Sequence, residues 1–271
     1  MPTQTKAHAD RVERMAEPLV RVDVDNGVAT ITLDSPANRN ALSRQLLTDL
    51  HAALDRAEQP DVRAIVLTHT APTFCAGADL KERADPDAQP TGSSPMVDAI
   101  RRLMFSAQPT IAAVNGSVRA GGVGLMAGCD LVVVQRSVTF AFTEVRIGVA
   151  PAIISVPILH RCGWSKLAAP FLTGEVFDAA AALDMGLVTH LADDVDGVDA
   201  TVRALVAGVL AGAPQAVAAT KALLRQPLPH SLDDAFTAMQ ALSESLFGSR
   251  EAAEGMRAFA EKRQPSWQMP S

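Results

Sequence analysis

From Leu19 to Phe142 short apolar strands alternate with helical patterns, and from Ala200 onward only helical patterns remain. No other feature limits the possible folds as much. Leu19–Asp25 and Val28–Leu33 alternate apolar and polar residues around Asn26-Gly27, two residues that tolerate the positive φ of a tight turn, so they predict a β-hairpin. Over Ser43–Ala57 the spacing puts Leu46, Leu47, Leu50, Ala53 and Leu54 on one helical face, with Ser43 as cap. Arg63–Thr68, Thr110–Val114, Leu131–Val134 and Thr139–Phe142 read as further strands, and Met96–Ala107 as a helix. Lys81–Pro95, rich in Asp, Pro, Gly and Ser, reads as an exposed loop. This alternation predicts an α/β core with parallel strand pairing.

The character changes near Asp193–Asp199. Helices are expected over Ala200–Ala211, Pro214–Leu224, Ser231–Phe247 and Ser249–Lys262, with Pro214 in a first turn and Ser231 and Ser249 as caps. The organisation read from the chain is a flexible arm over 1–18, a core over 19–198 and a helical region over 199–271. Apolar faces in so short a tail need something to pack on, which points to an oligomer.

With 271 residues, 48% hydrophobic and 20% charged, the chain can bury a sizeable core. A net charge of -6 argues against nucleic-acid binding through bulk positive charge. The three cysteines, Cys75, Cys129 and Cys162, form no C-x-x-C pair, which argues against a disulfide framework or structural zinc and fits a reducing compartment. There is no Tyr to act as acid or base. No apolar run is long enough to span a bilayer, and the first 18 residues lack an apolar signal core and carry Asp10, Glu13 and Glu17, so the expected location is cytoplasmic.

Three segments carry chemistry. Thr73–Glu82 (TFCAGADLKE) holds small residues that let backbone approach a ligand. In Asn115–Leu125 (NGSVRAGGVGL) glycines open a helix, whose free N–H groups favour negative charge. Phe142–Gly148 (FTEVRIG) sets the Glu144 carboxylate just beyond an apolar strand. Each has a plainer reading: an ordinary turn, tight helix packing, and a Glu144–Arg146 surface pair. The glycine-rich stretch lacks both the dinucleotide-binding G-x-G-x-x-G spacing and the P-loop G-K-[S/T].

Taken in order, these segments resemble the crotonase superfamily, the enoyl-CoA hydratases and isomerases. The resemblance covers nearly all the chain after the arm. It includes Asn40-Ala41-Leu42, FCAGADLKE at 74–82, AAVNG at 112–116, AGGVGL at 120–125, Cys129-Asp130, TEVRIG at 143–148, DMGLV at 184–188 and, near the end, Glu254-Gly255-Met256 through Glu261-Lys262-Arg263. It implies a crotonase-like spiral of β-β-α units, with a C-terminal helical trimerisation region and a homotrimer or dimer of trimers. The implied substrate is an acyl-CoA, coenzyme A being part of the substrate and no separate cofactor, metal or membrane being involved. The backbone N–H groups of Ala78 and Gly121 would hold the thioester oxygen. Ala76, Asp79, Leu80 and Gly122 would line the CoA thioester, and Phe259 and Lys262 would meet the adenine region, often from a neighbouring subunit.

The chain also departs from that family's two-carboxylate pattern. Glu144 matches the second glutamate, but the first maps to Gly124, which has no side chain. Hydration of an enoyl-CoA is the leading reading, since GGVGL, TEVRIG and PAIIS (151–155) resemble hydratases of branched or bulky acyl-CoAs. The alternatives are Δ3,Δ2-enoyl-CoA isomerisation by a single Glu, acyl-CoA hydrolysis or dehalogenation, and non-catalytic CoA or RNA binding. A dehalogenase needs an Asp nucleophile that no position supplies. Arg119 would partner Glu144 or a substrate carboxylate, or else pair with an acid such as Asp130. His160 is either structural or the second polar group. Asp79 and Asp130 would hold turns, and Cys75 and Cys129 would be small buried residues rather than nucleophiles.

Overall fold

The structure, a computed structural model, describes residues 18–70, 72–83, 94–226 and 231–268. Most of the predicted arm, and residues 84–93 of the predicted loop, lie outside the described residues.

The chain opens with the hairpin β1 (Val20–Asp25) and β2 (Val28–Leu33), turned at Asn26 and Gly27, both of positive φ. Helix α1 (Arg44–Ala57) follows, with the Ser43 side chain accepting from the Leu46 N–H at 3.2 Å. Then come β3 (Ala64–His69), β4 (Thr73–Cys75), a single turn α2 (Leu80–Arg83) and α3 (Pro95–Phe105). The middle of the chain holds β5 (Thr110–Val114), β6 (Ser117–Arg119), α4 (Gly121–Gly128), β7 (Leu131–Gln135) and β8 (Thr139–Ala141). A 3-10 turn (Thr143–Ile147) leads into α5 (Ala152–Arg161) and α6 (Trp164–Thr173). The last strands, β9 (Val176–Asp178) and β10 (His190–Ala192), flank α7 (Ala179–Met185). Four helices close the chain: α8 (Val195–Ala211), α9 (Pro214–Arg225), α10 (Leu232–Phe247) and α11 (Arg250–Ala260).

The strands form two sheets. Six run in the order β1-β2-β3-β5-β7-β10, antiparallel only at the hairpin; four run in the order β4-β6-β8-β9, antiparallel only at β8-β9. Every residue of β5 is buried, as expected of a central parallel strand covered on both faces. One face packs on α1, α3 and α4, within a core that includes Leu46, Leu50, Leu103 and Val123. The opposite face presents Val66, Ile111, Ala113 and Val133 to Val198 and Val202 of α8.

The tail therefore starts earlier than the apolar spacing predicts. Asp194 accepts the Gly197 N–H at 2.7 Å and begins α8 five residues before Ala200, so this helix covers the sheet instead of standing apart. The capping Ser231 and Ser249 and the leading Pro214 fall where expected. The short β4, β6, β9 and β10, and the helices α5 to α7, were not legible as separate elements. Three-residue strands show no period, and Pro157 and Pro170 interrupt the helical pattern of α5 and α6. Among the described residues no single helix is long and apolar enough to cross a membrane.

Candidate active site

Strands β4, β6 and β8 lie side by side, all parallel, with Cys75 opposite Val118 and Arg119 opposite Ala141. Neighbouring strands are ~4.8 Å apart. The three chemical segments therefore leave the same sheet edge: Ala76–Ala78 after β4, Ala120-Gly121 after β6, and Phe142–Glu144 after β8. The carboxyl ends of parallel strands are where such sheets offer room for ligands.

Each exit is shaped by backbone. The Gly77 carbonyl accepts the Leu42 N–H at 2.8 Å, and the Ala76 N–H donates to the Arg39 carbonyl at 3.1 Å. Behind this strap, fully buried Asn40 accepts the Ser35 N–H and donates to the carbonyls of Thr70 and Thr73 at 3.2 and 3.0 Å. Gly77 has φ +93, which glycine adopts freely. Ala120 has φ 47 and ψ -121, costly for a residue with a Cβ, and its N–H donates to the Ala141 carbonyl at 3.0 Å. That strained residue turns the chain from β6 directly into α4. The amides of Ala78 and Gly121 donate to no acceptor among the described residues.

The glycines of α4 are demanded by packing. A Cβ at Gly122 would meet the Cys75 carbonyl at 2.9 Å, and one at Gly121 would meet Leu42 Cδ1 at 2.8 Å and Met96 Cε at 3.0 Å. Bulk at Gly121 thus strikes packed side chains. At Gly124 a Cβ would stand 2.5 Å from Ile154 Cγ2.

Glu144 sits in the 3-10 turn, closed by Gly148 at φ +76, and its carbonyl accepts the Val149 N–H at 3.1 Å. Its Oε2 is buried with no partner among the described residues, and burial raises the carboxyl above the ordinary Glu range. The Glu144–Arg146 surface pair is not formed; Arg146 donates to the Thr173 carbonyl.

Other expectations need correction. Arg119 pairs with neither Glu144 nor Asp130: its guanidinium is spent on the Val118 and Thr139 carbonyls and the Thr139 hydroxyl. Asp130 does more than hold a turn, binding Lys221 at 2.9 Å, Arg225 at 2.8 Å and the Thr110 N–H at 2.8 Å. His160 is exposed and lines a surface depression with Asp130, Arg161 and Arg225, so it adds no polar group beside Glu144. No hydrogen bond or ion pair among the described residues joins Phe259 or Lys262 to Ala78, Gly121 or Glu144, and Phe259 is 87% exposed. Asp79 holds its turn as expected, accepting the N–H groups of Lys81 and Glu82, and Leu80 beside it is exposed. Cys75 and Cys129 are buried thiols pushed up to about 12, which removes them as nucleophiles. Among the described residues no three potential metal ligands cluster. Asn40, Leu42, Met96 and Ile154 shape the surroundings of these exits, and of the four only Met96 stood outside a segment singled out for its resemblance.

The profile of the enoyl-CoA hydratase/isomerase family matches residues 23–270. The chain belongs to that family. It is 33% identical over 245 residues to enoyl-CoA hydratase EchA19 of Mycobacterium tuberculosis, spanning 88% of this chain and 92% of the relative. A solved enoyl-CoA hydratase of Mycobacterium smegmatis shares 32% identity at a TM-score of 0.84, over 93% of this chain and all of that one. An enoyl-CoA hydratase/isomerase from Marinobacter aquaeolei shares 27% identity at a TM-score of 0.85, over 93% and 99%. The fold is that of the crotonase superfamily, with its helical C-terminal part.

Proposed function

We propose that this protein adds water to a 2-enoyl-CoA thioester. The reading rests on one observation: the unpartnered, buried carboxylate oxygen of Glu144 leaves the same sheet edge as the two unengaged amides of Ala78 and Gly121. Ionised Glu144 takes a proton from water while the water oxygen bonds to the β-carbon. The double-bond electrons move through the α-carbon onto the thioester oxygen, where the two N–H groups hold the charge. The carbonyl then re-forms as the α-carbon takes the proton from Glu144, and the carboxylate is restored. Fixed donors need no reorganisation as charge develops, and losing one costs about 3 kcal/mol of barrier. Residues Ala76, Asp79, Leu80 and Gly122 would border the thioester. Phe259 and Lys262 would meet the adenine region, often that of a neighbouring copy, in a homotrimer or dimer of trimers that covers the exposed Leu232, Phe236 and Phe247.

A second reading, the shift of a 3-enoyl to a 2-enoyl thioester, is favoured by the absence of a carboxylate at Gly124. It needs only one group to carry a proton from C2 to C4. Both are tested by following the conjugated-thioester absorbance with 2-enoyl and 3-enoyl-CoA substrates of several lengths. Loss of signal from the 2-enoyl set supports hydration, and gain from the 3-enoyl set supports the shift. Tight CoA binding with neither change would replace both with a binding role.

A further inference from the structure

The first helical turn of α5 lies against α4 where α4 has no side chains. A Cβ on Gly124 would come within 2.5 Å of Ile154 Cγ2, 2.9 Å of Ile154 Cβ and 3.4 Å of Ile100 Cδ1. Contacts under 3.0 Å require movement, and little is available. Ile154 is 2% exposed and β-branched, so its Cγ2 is tied to a stiff χ1, and the Cβ is fixed to the α5 backbone. Position 124 is thus a glycine whose missing side chain is replaced in space by a hydrocarbon from another helix. Even alanine there would force Ile154 or its helix to shift, and a glutamate more so.

We infer that Ile154 is a specificity-determining residue: by filling the volume that a side chain at 124 would need, it keeps the site to one carboxylate. The inference rests on the proposed role of Glu144 in enoyl-CoA chemistry. Its consequence is a division of labour. A double-bond shift moves one proton, from C2 to C4, and Glu144 can take and return it with no net gain or loss. Hydration asks that carboxylate alone to accept a proton from water and pass it to the α-carbon, with no second carboxylate at 124 to orient the water. Ile154 therefore leaves hydration to Glu144 alone, and α4 cannot recover a second acid by a change at 124 alone.

The test has two arms, both on the full chain. The first is a stability cycle of Gly124→Ala, Ile154→Ala and the double variant. Gly124→Ala is expected to lower Tm by about 4 °C or more in the natural background and by clearly less once Ile154 is alanine, which removes the 2.5 Å contact with Cγ2 and leaves only the 2.9 Å one with Cβ. Equal losses in both backgrounds would overturn the inference, and this arm reads out whether or not the chain turns over enoyl-CoA. The second arm compares the ratio of hydration to double-bond shift in Gly124→Glu/Ile154→Ala with that in Ile154→Ala. A rise of about tenfold or more is expected, and an unchanged ratio in folded protein overturns the proposal. A natural chain inactive on both substrate sets would defeat the enoyl-CoA reading itself, and the first arm would still tell whether Ile154 seals position 124.

Discussion

A Cβ added to Gly77 would stand 2.8 Å from the Cβ of Ala120. Both residues have positive φ, and they meet where the exits of β4 and β6 bring the amides of Ala78 and Gly121 to one edge. Gly77→Ala combines a left-handed backbone with a collision against a residue already strained. It is expected to cost about 1–3 kcal/mol in stability and to weaken acyl-CoA affinity, as thermal melts and binding titrations would register. A variant with natural melting and natural affinity would show that the two turns do not constrain each other.

Glu144→Gln should separate activity from stability. Turnover is expected to fall by about 10²–10⁴-fold with acyl-CoA affinity kept. Stability is expected to move the other way. Burial raises this carboxyl in the folded state, so the folded protein binds the proton more tightly than the unfolded chain. Stability attributable to Glu144 is then lost as pH rises from the ordinary Glu range through the raised folded value. The Gln variant escapes that loss. At pH 8 it should be more stable than the natural protein by about 1 kcal/mol, or roughly 2–4 °C in Tm, a modest figure because the residue is only partly buried. The difference should vanish as pH falls below the ordinary Glu range. A lower Tm for the variant at pH 8 would show that the carboxylate has a stabilising partner.

Asn40→Ala removes three hydrogen bonds from a fully buried position and strands the Ser35 N–H and two carbonyls. About 3 kcal/mol of stability should be lost. Because Arg39 and Leu42 hold Ala76 and Gly77, turnover should fall along with it, well below the melting temperature. Denaturant melts and kinetics at low temperature check both parts; full activity with reduced stability would confine Asn40 to a structural role.

Asp130→Ala leaves Lys221 and Arg225 buried without their carboxylate, at side-chain exposures of 5% and 7%. Breaking one side of a buried ion network typically costs about 3–5 kcal/mol. Since Lys221 also donates to the Leu103 carbonyl at 3.1 Å, the loss should appear as release of α9 from α3. Hydrogen exchange that increases first in 214–225 would register this; uniform exchange would place the anchor elsewhere.

Much of this was legible along the chain because it depends on local physics. The Asn26-Gly27 hairpin, the Ser43, Ser231 and Ser249 caps and the leucine face of α1 follow from backbone freedom and from side chains a few residues apart, and all appear as read. The motifs that identified the family, including the segment bearing Glu144, were equally open to reading. The ends of β4, β6 and β8 became one edge only through parallel pairing of residues far apart in sequence, which no local period encodes. The fate of Arg119, the removal of His160 from the site and the three-cornered contact of Asp130 with Lys221 and Arg225 were likewise decided by long-range neighbours. So was the filling of Gly124 by Ile154. The sequence alone determined that position 124 carries no side chain; the packing of α5 on α4 decided that none fits there unless a neighbour moves, because excluded volume belongs to the assembled helices and not to either segment.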